Sequence, residues 1–493
     1  MLVGNNLSLF GMILYLAGCS GDQTADEPSA NEVATEDVQP PEPRPPSDNV
    51  ADKNKQLDLQ KEALKIQKDL ECLRGRPFLS DPSVAFQSMS DFKKFIDKEF
   101  EKEFRTEKSR QFGYLLKGIR LVDKNVDLEG SLAQAVLDQA AAYYDPVTNG
   151  FYVVAEGLSG MMLSSVMAHE LQHALQDQHT SLLESYSAEH FGSFDEEMAA
   201  RFLVEGEATL VGNAWLVLHA GSLFGFMSGF QDSICASDKP TPQVEIFWES
   251  LEPVVNDFAS MTRDDVLNPN PLLLMLTNFL VPGYSASQES LKSLPMFHYY
   301  TLNLPYSKGE RTAYGLLRKA KWNWRTLNRL FKNPPKTTEA VLHPEIIDTP
   351  QQEFRTLSPV DVASLSAGWA QGESNRMGEL GLFLWLVNHN ISENVAFLTA
   401  EGWNGDIAIA YKKNDKYAGS WKIAWDTPNQ AQRFRKRLIE VFNLGFKGFT
   451  AQPNWQDMLT DSPSQNGSLS FTYDDGRGFV QWTEDEISLA WGF

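Results

Sequence analysis

Residues 161–179, MMLSSVMAHELQHALQDQH, predict a buried helix, because apolar residues recur at helical spacing and neither Gly nor Pro interrupts them. His169 and His173 lie four residues apart on one face of this helix, so their imidazole nitrogens can converge on one metal ion. Glu170 stands beside them, where a carboxylate can deprotonate a water held by that ion. The alternative is a core helix with two hydrogen-bonded histidines, which is costly because both buried imidazoles then need other partners.

A third ligand is expected downstream, since zinc in a catalytic site takes three protein ligands and keeps one open position. The sequence RFLVEGEAT at 201–209 belongs to an apolar run, 194–218, that also predicts a buried helix. It contains two carboxylates, Glu205 and Glu207, and buried carboxylates require a partner such as a metal ion. Glu205 follows His173 by 32 residues, which leaves room for a loop and an antiparallel return helix.

The pattern His169-Glu170-x-x-His173 followed by Glu205-Gly-x-Ala208 resembles the gluzincins, zinc metallopeptidases with two His ligands and one Glu ligand. The resemblance implies a zincin-like core in which Zn²⁺ is held by His169, His173 and Glu205. It also implies the reaction, zinc-dependent hydrolysis of peptide bonds, with Glu170 as the general base that activates a zinc-bound water.

Two details of the metal site stay open at the level of sequence. Glu207 is the rival of Glu205 for the third ligand position, because both lie on the same predicted helix. Thr209 stands where similar enzymes carry an Asp that orients a ligand histidine, so Asp177 or Glu207 is the expected replacement.

Two downstream motifs, PYSKG at 305–309 and TEAVLHPE at 338–345, extend the resemblance to a set of largely uncharacterised bacterial and archaeal metallopeptidase-like proteins, over residues 74–434. Gluzincins commonly supply a His or Tyr that donates a hydrogen bond to the oxyanion of the tetrahedral intermediate. The resemblance makes His343 and Tyr306 the candidates for this catalytic role. In the alternative interpretation, His343 caps a turn and Tyr306 anchors a loop.

The run FYVVA at 151–155, directly before the metal helix, predicts a short strand. In zincins the strand at this place is typically an edge strand along which the substrate lies extended, and the resemblance suggests that role here. The alternative is an edge strand that only packs.

The amino terminus resembles a lipoprotein signal. Residues 7–18 form an apolar run too short to span a bilayer, and Leu16-Ala-Gly-Cys19 resembles the lipobox of bacterial lipoproteins. The resemblance implies a cleaved signal peptide at 1–18, lipidation of Cys19 and anchoring in the bacterial cell envelope. The alternative is an ordinary secretory signal. Residues 19–50 are acidic and rich in Pro, which predicts a disordered tether.

The chain has a formal net charge of −22 at pH 7. Such acidity argues against nucleic acid and against an anionic membrane surface as partners. The resemblance to gluzincins implies a peptide or protein substrate as partner, and the lipobox-like sequence implies the membrane, through the lipid at Cys19. Of the three cysteines, Cys72 and Cys235 remain, either as one disulfide in an oxidising compartment or as two buried thiols.

The predicted fold class is α+β, predominantly helical, with a zincin-like metallopeptidase core at 51–350 and a small C-terminal α+β module at 351–493. Within the module the sequence predicts strands at 407–412 and 420–426, a helix at 429–442 and a final hairpin.

Two functions are compatible with these features. One is a zinc peptidase of the cell envelope, and the other is a catalytically silent lipoprotein that uses the zincin-like fold as a binding or scaffold module. Glu170 distinguishes them, because a protein without catalysis has no use for a carboxylate beside an open coordination position. The complete motif therefore favours the peptidase.

Overall fold

The computed structural model describes residues 50–103, 106–139, 142–154, 160–181, 190–223, 241–268, 291–460, 465–474 and 476–493. The predicted signal peptide, Cys19 and almost the whole tether lie outside these ranges, so the lipoprotein remains a prediction. Cys72 takes part in a disulfide bond and is not a free thiol. Cys235, the partner considered from the sequence, also lies outside the described residues. No described helix is both long and apolar enough to cross a bilayer.

Helices make up most of the described residues, and the predicted class, predominantly helical α+β, is confirmed. The metal helix is α5 (Gly160–Thr180), and Glu205 lies on α6 (Phe194–Leu223). The helices before them are α1 (Val50–Arg74), α2 (Met89–Glu103), α3 (Glu107–Gly118) and α4 (Leu128–Gln139). The helices after them are α7 (Pro242–Ser250), α8 (Glu252–Ser260), α9 (Arg263–Leu267), α10 (Met296–Lys319), α11 (Arg325–Lys332), α12 (Thr338–Leu342), α13 (Gly378–Asn388), α14 (Glu393–Ala400), α15 (Pro428–Gly445) and α16 (Trp455–Thr460).

A three-stranded sheet precedes the metal helix, with strand order β1-β3-β2. Its strands are β1 (Ser83–Phe86), β2 (Ala142–Asp145) and β3 (Gly150–Val153), and β3 pairs in parallel with β1 and antiparallel with β2. The prediction that the strand at 151–155 is an edge strand is therefore wrong, because β1, from far upstream in the chain, pairs with its other side. Strand β2 is the edge strand that packs against α5.

The C-terminal sheet is larger than the sequence predicts. Seven strands lie in the order β4-β5-β6-β10-β9-β8-β7, and all their pairings are antiparallel. They are β4 (Ala370–Asn375), β5 (Trp403–Lys413), β6 (Lys416–Trp425), β7 (Thr450–Ala451), β8 (Gly467–Tyr473), β9 (Gly476–Trp482) and β10 (Glu486–Trp491). The two predicted strands are β5 and β6, and the predicted hairpin is β8 with β9.

One continuous apolar core connects the metal-site helices with this sheet. Helix α3 packs on β5 and β6, and its end is held by two buried tryptophans, Trp385 on α13 and Trp491 on β10. The Trp385 indole donates a hydrogen bond to the carbonyl of Ile119 (2.9 Å), and the Trp491 indole donates to that of Gly118 (2.8 Å). The helices that carry the predicted ligands reach this sheet indirectly, because α6 packs on α13 and α13 packs on β5.

Candidate metal centre

The three predicted ligands converge at the packed surface between α5 and α6. The Nε2 atoms of His169 and His173 lie 3.2 Å apart, and Glu205 Oε2 lies 3.6 Å and 3.3 Å from them. All three side chains are buried, and their ligand atoms lie within 4.8 Å of one another. This buried group can hold a metal ion. Glu205 faces the two histidines, whereas its rival Glu207 forms an ion pair with Arg74.

Glu205 offers an ionised carboxylate to a bound cation. Burial raises the pKa of Glu205, but the neighbouring imidazoles of His173 and His169 outweigh burial and hold it at about 2. Neither carboxylate oxygen of Glu205 has a hydrogen-bond partner among the described residues, although both are fully buried. A buried, ionised carboxylate without donors is expensive, and coordination of a metal ion would satisfy it.

Glu170 lies at the same centre and is completely buried. One oxygen, Oε2, accepts a hydrogen bond from the backbone N–H of Tyr144 on β2 (3.0 Å). The other, Oε1, has no hydrogen-bond partner in the part of the chain that the structure describes. Burial raises the pKa of Glu170 to about 8, the His173 imidazole lowers it, and the Glu205 carboxylate raises it further. Glu170 is therefore anchored through one oxygen and has the other available for proton transfer.

His173 is oriented by a glutamine that the sequence analysis did not single out. Its Nδ1 lies 2.8 Å from Gln176 Oε1, while the Gln176 amide nitrogen donates to the carbonyl of Val204 (3.0 Å) and to Glu207. Because the amide oxygen can only accept, His173 must carry its proton on Nδ1. This tautomer leaves the lone pair of Nε2 directed at the metal position.

Glu207 contacts the glutamines of the metal helix on the side away from the histidines' ligand atoms. Its carboxylate accepts hydrogen bonds from Gln172 (3.2 Å to each oxygen) and Gln176 and pairs with the buried guanidinium of Arg74. Arg74, at the end of α1, also stacks over Trp324 at 4.2 Å from the ring centroid. Asp177 and Glu207 were the two residues expected to replace the Asp that is absent at position 209. Of these, Glu207 is connected to His173 through Gln176.

Asp177, the other expected replacement, has a different role. Its carboxylate accepts a hydrogen bond from the Tyr144 hydroxyl (3.1 Å), on the strand that also holds Glu170. The sequence contained one sign of the observed network, since Gln172, His173 and Gln176 recur with helical spacing on the metal helix.

Tyr306 lies beside the candidate metal centre, within helix α10 and not in a loop. Its ring stacks on His169, with centroids 5.7 Å apart and an interplanar angle of 24°. Burial raises the pKa of its hydroxyl well above the usual value, the charge of Glu205 raises it further, and the buried guanidinium of Arg201 opposes this. The hydroxyl therefore keeps its proton and can act as a hydrogen-bond donor.

Two glycines explain how Tyr306 reaches this position. Gly206, next to the ligand Glu205, and Gly309, at the end of the PYSKG motif, face each other where α6 crosses α10. A Cβ on Gly309 would lie 3.0 Å from the Gly206 Cα and would collide with the carbonyl of Phe202. Only two glycines allow this backbone approach, so both motifs carry a glycine for packing.

We expect Gly309→Ala to lower the free energy of unfolding by about 1–3 kcal/mol, because the added methyl group meets backbone that has no room to move. Gly113→Ala on α3 is the matched control, since a Cβ there meets nothing within 4 Å. It should be neutral or slightly stabilising. Urea unfolding in the presence of a chelator measures the free energy of unfolding of both variants. Equal stability of the two variants would contradict the close helix crossing.

His343, the second oxyanion candidate, is found in a different environment. Its Nε2 lies 3.0 Å from Oε1 of the buried Glu379, and its Nδ1 lies 3.8 Å from Glu345. Burial lowers the pKa of His343, but the bond to Glu379 outweighs it and raises the pKa to about 9. None of its contacts among the described residues is with a predicted metal ligand, so the structure does not bring His343 together with the metal centre.

Comparison with known proteins gives little guidance on chemistry. A family model described as a domain of unknown function, DUF8575, matches residues 351–466. No curated protein and no solved structure matches the chain. The matched segment contains the start of the C-terminal sheet and excludes His169, Glu170, His173, Glu205 and Tyr306, so the candidate metal centre lies outside the region of similarity.

Proposed function

We propose that this protein is a zinc-dependent peptidase. The observation that carries the proposal is the convergence of His169, His173 and Glu205 in one buried group. Beside this group lies an oxygen of Glu170 that has no hydrogen-bond partner in the described part of the chain. Two imidazole nitrogens and one carboxylate oxygen are a donor set that suits zinc and leaves a coordination position open. The residues present therefore fit the ion that the motif implies.

The bound ion would supply positive charge that polarises a substrate carbonyl and acidifies water. The chain's own side chains would transfer the proton and stabilise the developing negative charge. Glu170, fixed through Oε2 by the Tyr144 N–H, can take a proton on Oε1 from the attacking water and pass it to the leaving amine. The Tyr306 hydroxyl can donate a hydrogen bond to the oxygen on which negative charge develops, because its own proton is retained.

The proposal is tested by metal binding together with peptide cleavage. Purified protein should contain one zinc per chain and cleave members of a peptide library. Removal of the metal with 1,10-phenanthroline should abolish cleavage, and added zinc should restore it. A protein that cleaves equally well after complete metal removal would exclude the proposed mechanism.

We expect His173→Ala to weaken zinc binding by more than the roughly 10–100-fold that loss of an outer-shell partner causes, because a direct ligand is removed. His179→Ala is the matched control on the same helix, since among the described residues the His179 ring bonds to the carbonyl of Pro77 (2.9 Å) and to no predicted ligand. Competition with a chromophoric chelator measures the affinity. Unchanged zinc affinity in His173→Ala would show that the ion is held elsewhere.

The two oxyanion candidates can be separated by mutation. Tyr306→Phe keeps the ring on His169 and removes only the hydroxyl, so kcat should fall by about 10²-fold or more with little change in KM. His343→Gln should leave kcat of the zinc-loaded enzyme within a few-fold of wild type, because His343 pairs with Glu379. Steady-state kinetics on one library-derived peptide decide between them, and the opposite pattern would assign the role to His343.

The cell envelope is the location we propose for this activity. The support is the lipobox-like sequence Leu16-Ala-Gly-Cys19 followed by an acidic, Pro-rich segment. Mass spectrometry of the mature amino terminus tests this location, and an unmodified Cys19 would exclude the lipid anchor.

A further inference from the structure

A cavity of about 440 Å³ lies where the end of α3 meets the C-terminal sheet, apart from the metal centre. Its volume falls in the range of pockets that bind small organic molecules. Four cationic side chains line it, among them Lys117, Arg120 and Lys416. Three aspartates also line it, so the cations exceed the carboxylates by one, in a chain with 65 acidic and only 43 basic side chains.

Arg120 is held rigidly in this cavity. Its backbone has φ of +57°, an unfavourable conformation for a residue with a Cβ, and its carbonyl accepts a hydrogen bond from Asn388 (3.1 Å). The guanidinium lies over the rings of Phe446 (4.3 Å from the centroid) and Tyr473 (5.4 Å) and donates to the carbonyl of Gly445 (2.8 Å). The side chain is thus placed by several contacts at once.

Three of these cations form no ion pair with a carboxylate of the described residues. Among the described residues, no carboxylate lies within 4.0 Å of the charged nitrogens of Lys117, Arg120 or Lys416. Of the three aspartates that line the cavity, two have contacts with other residues. Asp123 accepts a hydrogen bond from the N–H of Asn125 (2.8 Å), and the Asp474 carboxylate packs against Gly448.

Aromatic side chains form another part of the wall. Tyr417 and the buried Tyr473 and Trp491 line the same cavity as the cations. A planar guanidinium fixed on aromatic faces presents its N–H groups in the geometry that matches a carboxylate or a phosphate. The neighbouring rings offer apolar surface to the rest of such a ligand.

We propose that this cavity is a binding site for a small organic anion, one that carries a carboxylate or phosphate on an aromatic or similarly flat apolar group. Arg120 would contact the oxyanion, with Lys117 and Lys416 adding positive charge and the tyrosines and Trp491 holding the apolar part. The proposal does not depend on the metal centre, because no predicted metal ligand or catalytic residue lines the cavity.

Isothermal titration of the full chain with three probes tests this site. Phenyl phosphate and N-acetylphenylalanine distinguish a phosphate from a carboxylate, and phenol is the neutral control. At least one anion should bind saturably, and phenol should not. The same binding is expected in His173→Ala, which separates the cavity from an anion that coordinates the metal. Absence of saturable binding by both anions to folded wild-type protein would overturn the proposal.

Variants identify the residue that binds. Arg120→Gln should weaken binding of the anion by about tenfold or more, the effect of losing a charged hydrogen bond. Lys416→Gln should weaken binding less. Because Lys416 is exposed, this variant should fold normally, so it still tests the site if Arg120→Gln fails to fold. Arg325→Gln, an exposed arginine outside the cavity, is the matched control and should bind like wild type. Equal affinity in wild type, Arg120→Gln and Lys416→Gln would contradict the assignment.

Discussion

Glu170→Gln is expected to abolish most peptide hydrolysis while zinc stays bound. A glutamine keeps the size of the side chain, and its amide oxygen can still accept the hydrogen bond from the Tyr144 N–H that now holds Oε2. The amide nitrogen then takes the place of Oε1, the oxygen without a partner, and it has no lone pair that accepts a proton. We therefore expect kcat to fall by about 10²–10⁴-fold, the contribution of a positioned general base.

The comparison is made on one library-derived peptide, with zinc occupancy of both proteins measured and matched. Glu245→Gln is the control, since it makes the same chemical change at an exposed position on α7. Equal turnover of Glu170→Gln and wild type would remove Glu170 from the mechanism. If zinc-loaded wild type cleaved no peptide or protein, the interpretation as a binding or scaffold module would replace that of a peptidase.

Glu207→Gln is expected to cause the largest loss of stability. The substitution leaves the guanidinium of Arg74, which is only 3% exposed, without its anionic partner. Breaking a buried ion pair from one side typically costs about 3–5 kcal/mol. The same change disturbs Gln176, which orients the ligand His173, so zinc affinity should also fall by about 10–100-fold.

Urea unfolding in the presence of a chelator measures the stability effect without a contribution from the metal. Glu245→Gln again serves as control and should change the free energy of unfolding by less than about 0.5 kcal/mol. The double variant Arg74→Met, Glu207→Met should recover much of the stability, because both charges are removed, but not the zinc affinity. A Glu207→Gln protein as stable as the control would show that the buried pair is not formed.

Two of the three candidate metal ligands were predictable from the sequence because their arrangement is local. A helix places residues i and i+4 on one face, so His169 and His173 converge whatever surrounds them, and Glu170 is adjacent by necessity. Glu205 required the resemblance to gluzincins in addition, since two carboxylates lie on the same helix. The structure separates them, because Glu205 faces the histidines and Glu207 faces Arg74.

The predominantly helical α+β class also followed from local patterns, since periodicity and turn residues report on nearby positions in the chain. The position of each strand within its sheet did not follow from local patterns. Strand β3 is central because β1, more than sixty residues upstream, pairs with it, and no local signal records that pairing. The C-terminal sheet has seven strands for the same reason, because edge and centre are decided by which distant segments meet.

Tertiary packing alone decided the surroundings of the site. Arg74 reaches Glu207 across more than a hundred residues of sequence, and two glycines on separate helices permit the approach that places Tyr306 on His169. His343 and Tyr306 were equal candidates from their motifs, yet one pairs with Glu379 and the other stacks on a predicted ligand. Spacing along one helix determined how His169, Glu170 and His173 lie, whereas the approach of Glu205 and the contacts that orient the histidines join residues whose proximity exists only once the chain has folded.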